Sequence, residues 1–345
     1  MSNPPRPDLR CARRLCVAPM MDWTDRHCRM FHRRFTSHAL LYTEMVTAGA
    51  IVHGDAAHLL RYHGDEPPLA LQLGGSDPGE LARAVRIAAP FGFAEINLNI
   101  GCPSDRVQSG TFGACLMRRP GLVADCAAAM IAAAGADGPE ITVKCRIGVD
   151  DQDPEAALPQ FIDRVAEAGV RVFAVHARKA WLDGLSPKQN RDIPPLDYAL
   201  VGRVARARPG LDFILNGGMA SLDEARGHLA PGINGGFAGV MVGRAAYHEP
   251  ASVLGAADAL ITGIERSSVA AEDAVRAMYG YIEEELARGT RLAQITRHML
   301  GAFAGRPGAR RWRRILSEGA HRPGAGVALV EEALAAVAPM STAAE

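Results

Sequence analysis

Short apolar runs rich in β-branched and aliphatic residues recur along the chain, at 15–20 (LCVAPM), 39–45 (ALLYTEM), 68–74 (PLALQLG), 94–99 (AEINLN), 141–146 (ITVKCR), 171–176 (RVFAVH), 212–216 (DFILN) and 238–242 (AGVMV). Most are separated by segments that read as helices. SDPGELARAVRIAAP opens with an Asp cap, Pro in the first turn and an early Glu, the chemistry that satisfies a helix N-terminus. PGLVADCAAAMIAAAG is Ala-rich and stops at Gly, and DPEAALPQFIDRVAEAG and SLDEARGHLA follow the same logic. Eight strands alternating with helices predict an α/β fold with a parallel sheet and right-handed crossovers. Near-continuous apolar strands fit burial on both faces. The count of eight, with no G-x-G-x-x-G after the first strand, favours a (β/α)8 TIM barrel over an open doubly wound sheet. Beyond about residue 250 the rhythm changes, since VAAEDAVRAMYGYIEEELARG, RLAQITRHMLGAFAG, ARRWRRILSEGA and VALVEEALAAVA all read as helices. The expected organisation is a catalytic barrel over 1–255 and a small C-terminal α-helical bundle over 256–345, joined through ITGIERSSVAAED.

Composition narrows the class. The formal net charge is zero, so total charge points to neither a nucleic-acid binder nor a membrane-surface protein. The sequence shows no apolar run of bilayer-spanning length and no signal-peptide-like start, so the expectation is a cytoplasmic protein with no membrane association. Seven cysteines without C-x-x-C or Cys/His ligand spacing argue against a disulfide framework and a metal site. Only three lysines occur, Lys144, Lys179 and Lys188, among many arginines. A lysine kept in so Arg-biased a chain suits a place where a compact point charge serves better than a planar fork.

In a (β/α)8 barrel the chemistry gathers where strands end on the C-terminal face. The strand-end residues are Pro19, Met20 and Met21; Glu44; Gln72; Asn97 and Asn99; Lys144 and Arg146; His176; Asn216, Gly217 and Gly218; and Gly243 and Arg244. The glycine-bearing turns NGG and VGR follow the last two strands, where barrels often bind phosphate through backbone N–H groups, and Arg244 is placed to clamp it. Across the mouth from that corner, Gln72, Lys144 and His176 offer an amide, an ammonium and an imidazole, which suit a flavin, with Lys144 placed to stabilise negative charge on the reduced ring. Cys102 follows the fourth strand in EINLNIGCPSDRV and faces the same mouth. An ordinary thiol has a pKa of about 8.5 and is mostly protonated near neutrality. No obvious base activates it as a nucleophile, so over a flavin it reads as a general acid.

These residues resemble the tRNA-dihydrouridine synthases, flavoenzymes that reduce uridine in tRNA. VAPMMDWTDRHCR, LQLGGS, NLNIGCPS, VKCRIG, VHAR, NGG and VGRAAY are similar to the family's strand-end segments, from about residue 15 to the final helices. HARKAWLDGLSPKQNRDIPPLDY and ITRHMLGAFAGRPGARRWRRILSEGA resemble the subgroup acting at tRNA positions 20 and 20a. The resemblance implies that Cys102 protonates C5 of uracil while hydride passes from reduced FMN to C6, with NADPH as reductant. It implies that Pro19, Met20, Met21, Gln72, Lys144, His176, Asn216, Gly217, Gly218, Gly243 and Arg244 hold FMN. Asn99, Lys188, Arg191, Arg310 and Arg313 would contact tRNA.

The run RPGARRWRR carries Arg306, Arg310, Arg311, Arg313 and Arg314 around Trp312. By itself such a run is a solvated helix face; beside an RNA backbone it becomes a docking surface whose binding weakens steeply with salt. Trp312 is expected to pack the bundle, and Lys179, Lys188 and Arg191 to face the same RNA from the loop after the sixth strand. The target base must leave its stack to reach a barrel mouth, at a cost of a few kcal/mol. D-loop nucleotides, partly unstacked already, suit that demand. Two other readings stand beside this one: an FMN barrel reductase of a free metabolite, and a non-catalytic RNA-binding barrel. The expected assembly is a monomer with tRNA as its partner.

Overall fold

The computed structural model describes residues 8–104, 112–230 and 236–337. Asp105–Val107 of the cysteine segment lie outside them. Eight parallel strands close into a barrel in sequence order. They are β1 (Leu15–Val17), β2 (Leu40–Thr47), β3 (Leu69–Gly74), β4 (Glu95–Ile100), β5 (Glu140–Arg146), β6 (Val172–His176), β7 (Asp212–Asn216) and β8 (Gly239–Val242). β8 returns to β1 through Leu15↔Val240, Cys16↔Met241 and Val17↔Val242. The fold is therefore the (β/α)8 barrel expected from the rhythm of the chain.

Two strands depart from their expected bounds. β1 stops at Val17 because Met20 turns the chain: its carbonyl accepts from Trp23 N and Thr24 N, and its N–H donates to Thr24 Oγ1. β2 runs on to Thr47 past a shift in register between Tyr42 and Met45. The helices begin where the caps predict. Asp77 accepts from Glu80 N at the head of Pro78–Ala88, Asp153 from Glu155 N at Pro154–Glu167, and Ser221 from Glu224 N at Leu222–Leu229. Such caps satisfy amide groups that a helix start otherwise leaves unpaired.

Alternation along the strands divides the interior into two layers. One set of side chains packs outward against the helices, including Leu71, Leu98, Val143, Phe173 and Leu215. The other faces the lumen, where Cys16, Leu40, Tyr42, Val172, Ala174, Ile214 and Met241 form an apolar wall. On β3, β4 and β5 the lumen instead holds Gln72, Glu95, Asn97 and Thr142, each almost wholly buried. A buried polar wall persists only when its members bond one another, as these do.

After the barrel come the helices Ala257–Thr262, Ala271–Arg276, Tyr279–Ala287, Leu292–Thr296, Ala309–Gly319 and Val327–Ala335. They dock on the barrel helix Arg26–Arg33. Arg26 pairs with Glu285 at 2.6 Å, Arg297 with Asp25 at 2.7 Å, and His27 Nδ1 meets Tyr281 Oη at 2.7 Å. Asp25 also caps that barrel helix through His27 N and Cys28 N. Burial opposes its charge, but His298, Arg297 and the Cys28 amide hold its carboxyl well below the usual range. Trp312 packs the helical layer as expected: it is fully buried, donates Nε1–H to Met299 O at 3.1 Å and meets Phe303 edge-on.

Candidate active site

Cys102 stands two residues beyond β4, half-buried, where the backbone of Gly101 and Cys102 is held by several hydrogen bonds. Gly101 N and Cys102 N both donate to Asn99 Oδ1 at 3.0 Å, Cys102 O accepts from Ala114 N at 2.9 Å, and Gly101 O accepts from Arg146 Nε at 3.1 Å. The thiol lies within electrostatic reach of Lys144, Arg146 and Arg191.

Lys144, on β5, has no ion-pair partner among the described residues. Desolvation, and then the neighbouring Arg146, lower its pKa to about 8. Arg146, two residues on, is 3% exposed and is held by carbonyls instead of carboxylates: besides Gly101 O, its Nη1 donates to Asn190 O at 2.9 Å and Lys179 O at 3.2 Å. Burial lowers its pKa to about 10. This guanidinium joins the cysteine loop to the loop after β6.

That second loop is wound around Asn190, which is completely buried. Its side chain accepts from Trp181 N and donates to Trp181 O and Leu185 O. Lys188 and Arg191 are exposed beside it, and Lys179 lies over the Trp181 ring at 5.4 Å.

His176, at the end of β6, lies against Gly217, just beyond the neighbouring β7. The imidazole therefore borders the glycine corner, whereas sequence reasoning set it across the mouth. Its Nε2 is buried with no hydrogen-bond partner among the described residues. Desolvation first, then Arg146 and Lys144, keep its pKa well below the ordinary value, so the ring is neutral at pH 7.

Gly217 and Gly218 take φ of +110° and +74°. A Cβ on Gly217 would come within 2.8 Å of His176 Cδ2, and one on Gly218 within 2.6 Å of Leu196 Cδ1. Both positions require glycine for conformation and for space. Asn216 donates from Nδ2 to Met241 O, bracing β7 to β8. Gly243 precedes the short helix Arg244–His248, and Arg244 pairs with Asp192 at 2.7 Å. Pro19 and Met20 are partly exposed and Met21 is exposed at the β1 end of the mouth.

Gln72 and Asn99 are set deeper. Gln72 is 1% exposed, with Nε2 bonded to Asn97 and Oε1 to Asn99. Asn99 is 8% exposed beneath the cysteine loop, so any ligand it meets is one inside the barrel mouth. Arg310 and Arg313 are exposed on the helix Ala309–Gly319, as are Arg311 and Arg314. Arg306 differs, since it is paired with Glu272 at 2.5 Å.

Sequence reasoning missed a cleft of about 890 Å³ between the C-terminal helices and the β1–β2 side of the barrel. Arg26, Arg61, Arg291 and Arg297 line it, with Asp25 and Glu44 among the carboxylates. These arginines are scattered through the chain and form no run, so only the fold assembles them. Arg146 was visible as a strand-end residue, but its carbonyl ligands come from two distant loops.

The orphaned His176 Nε2, the unpaired Lys144 ammonium and the two cramped glycines form a polar corner suited to a flat, phosphate-bearing heteroaromatic ligand. Fold and site define a (β/α)8-barrel enzyme. In backbone the chain is similar to the old yellow enzyme homologue from Zymomonas mobilis, with a TM-score of 0.51 and 13% identity, covering 76% of this chain and 92% of that one. At that identity the likeness concerns the fold alone.

The sequence signature described as Dihydrouridine synthase (Dus) matches residues 16–338. Proteins called tRNA-dihydrouridine(20/20a) synthase are 56% identical in Xanthomonas axonopodis pv. citri, across 93% of both chains, and 54% identical in Vibrio cholerae, across 94% of this chain and 96% of that one. The protein of that name from Escherichia coli K12 is 53% identical over 97% of this chain and 94% of its own. The chain belongs to the dihydrouridine synthase family.

Proposed function

We propose that the protein reduces uridine to 5,6-dihydrouridine in the D-loop of tRNA, at positions 20 and 20a, with FMN as its flavin and NADPH as reductant. The observation that carries this reading is the half-buried Cys102 at the barrel mouth, its loop pinned by Asn99, Ala114 and Arg146. The name shared by the curated relatives supports the substrate and its positions.

Gly217, Gly218, Gly243 and Arg244 hold the phosphate, Arg244 by exchanging Asp192 for it. Lys144, His176 and Gln72 meet the ring system, with Asn216, Pro19, Met20 and Met21 completing its surround. Held there and reduced, the flavin would supply the hydride that C6 of uracil accepts. Cys102 gives its proton to C5, a general-acid step worth roughly 100- to 10,000-fold in rate. Asn99 keeps one N–H free of Gln72 and offers it to the flipped base. Lys188, Arg191, Arg310 and Arg313 hold the RNA backbone, with Arg61, Arg291 and Arg297 of the cleft extending that surface.

The test is the absorption spectrum of the purified protein and the mass of the ligand released by heat, followed by incubation with unmodified tRNA and NADPH. FMN and newly formed dihydrouridine are the expected products. A protein that neither carries nor takes up flavin would remove the proposal.

A further inference from the structure

The polar residues of the barrel lumen form one hydrogen-bonded series from the floor to the cysteine. At the floor, the Glu95 carboxylate is held by Arg13 and accepts from Tyr42 Oη at 2.5 Å and from Thr142 Oγ1 at 2.6 Å. Thr142, its single hydroxyl proton committed downward, accepts from Asn97 Nδ2 at 2.8 Å. Asn97 Oδ1 accepts from Gln72 Nε2 at 2.9 Å, and Gln72 Oε1 accepts from Asn99 Nδ2 at 2.8 Å. Asn99 Oδ1 finally accepts from Gly101 N and Cys102 N, both at 3.0 Å.

Every bond in the series donates towards Glu95, and the two ends require the same sense. A carboxylate only accepts, so Thr142 must donate to it. Backbone N–H groups only donate, so Asn99 must present oxygen to them. Turning over any one of the three amides would set like atoms against each other on both sides, in a place where water cannot repair the loss. A floor carboxylate and a mouth loop are thus coupled by orientation alone.

We propose that Glu95, acting through Thr142, is a positioning device for Cys102: it fixes the sense of the Asn97, Gln72 and Asn99 amides and so the seat of the cysteine loop. This rests on the reading of Cys102 as the proton donor. Thr142 is the link to cut, because Val matches its shape without the hydroxyl and Ser keeps the hydroxyl without the methyl.

The experiment compares the wild type with Thr142→Val and Thr142→Ser, each as the flavin-loaded full chain. Three quantities are read: amide hydrogen exchange at Gly101–Cys102, flavin reduction by NADPH, and single-turnover oxidation of the reduced enzyme by tRNA. Misplacing a reacting group by a fraction of an ångström to 1 Å costs on the order of 10- to 100-fold. The expected result is that Thr142→Val exchanges the two amides faster and loses about tenfold in the tRNA step. Its reduction by NADPH, which Gln72 of the same series can influence, falls by less than the tRNA step, and Thr142→Ser restores both the protection and the tRNA rate. Wild-type protection and wild-type tRNA oxidation in Thr142→Val would overturn the proposal, as would a loss that Ser fails to restore. A wild type that never oxidises with tRNA would refute the reductase reading itself; the exchange data would still decide whether the series seats the loop.

Discussion

Lys144→Met is the most informative single change for the electrostatics of the mouth. The Lys144 ammonium is desolvated beside Arg146 with no carboxylate paired to it among the described residues, and its pKa falls from the ordinary 10.5 to about 8. Each pKa unit corresponds to about 1.4 kcal/mol, so holding this group charged costs the folded apoprotein at most about 3.5 kcal/mol. The sign follows from proton counting. Below pH 8 both folded and unfolded chains carry the proton and the full penalty applies. Between pH 8 and 10.5 the unfolded chain holds a proton that the folded chain has released, so this group makes stability rise with pH, by up to about 1.4 kcal/mol per unit. Met fills a similar volume without the charge. Urea unfolding of flavin-free protein from pH 7 to 10.5 should show Lys144→Met more stable at pH 7 by up to about 3.5 kcal/mol, with the advantage vanishing towards pH 10.5. Taking the difference between the two proteins removes the background of other titrating groups. A difference that is flat with pH, or a variant less stable at pH 7, would refute the assignment of an unpaired, desolvated cation. The same variant should bind flavin more weakly, since the charge is retained for a ligand.

The other perturbations act through geometry. Gly217→Ala places a methyl in the His176 ring and forces an L-residue to φ +110°, a strain of about 1–3 kcal/mol; the melting temperature should fall a few degrees and flavin content more sharply, measured by absorbance ratio. Arg146→Lys cannot bridge Gly101 O, Asn190 O and Lys179 O together, so it should expose the 179–191 loop to protease and slow tRNA reduction about tenfold, as read by limited digestion and turnover. Arg310→Ala with Arg313→Ala should weaken tRNA binding and lower the salt slope by about 0.7–0.9 for each phosphate no longer neutralised, while NADPH oxidation stays intact. Equal loss of NADPH oxidation would mark those arginines as folding residues.

What the sequence made legible was whatever has a local cause. Strand and helix identity follow from runs such as ITVKCR and from caps such as Asp77 and Ser221, so all eight strands of the barrel could be placed to within a few residues. The strand ends pointed to Cys102, Lys144, His176 and the glycine turns because the barrel rule fixes where strand ends meet. The misses have non-local causes. The exception is β1, which ends early for a local reason, Met20 folding back on Thr24. His176 adjoins Gly217 because β6 and β7 are consecutive in a barrel closed in sequence order, so this placement followed from the expected fold and was not drawn from it. The Glu95–Thr142–Asn97 series was invisible because three polar residues inside apolar strands read singly as exceptions; only lumen-facing register joins them. The cleft arginines, Arg61 and Arg291 among them, are far apart in sequence and were overshadowed by the conspicuous RPGARRWRR run, of which Arg306 proves to be tied to Glu272.

The central claim is that Cys102 delivers a proton to uracil. It is tested most directly by Cys102→Ala, reduced with NADPH and mixed with tRNA lacking dihydrouridine, with flavin oxidation and dihydrouridine content followed together. The account predicts normal flavin content, normal tRNA binding and a loss of uridine reduction of roughly 100-fold or more. Dihydrouridine formed by the variant at near wild-type rate would contradict it.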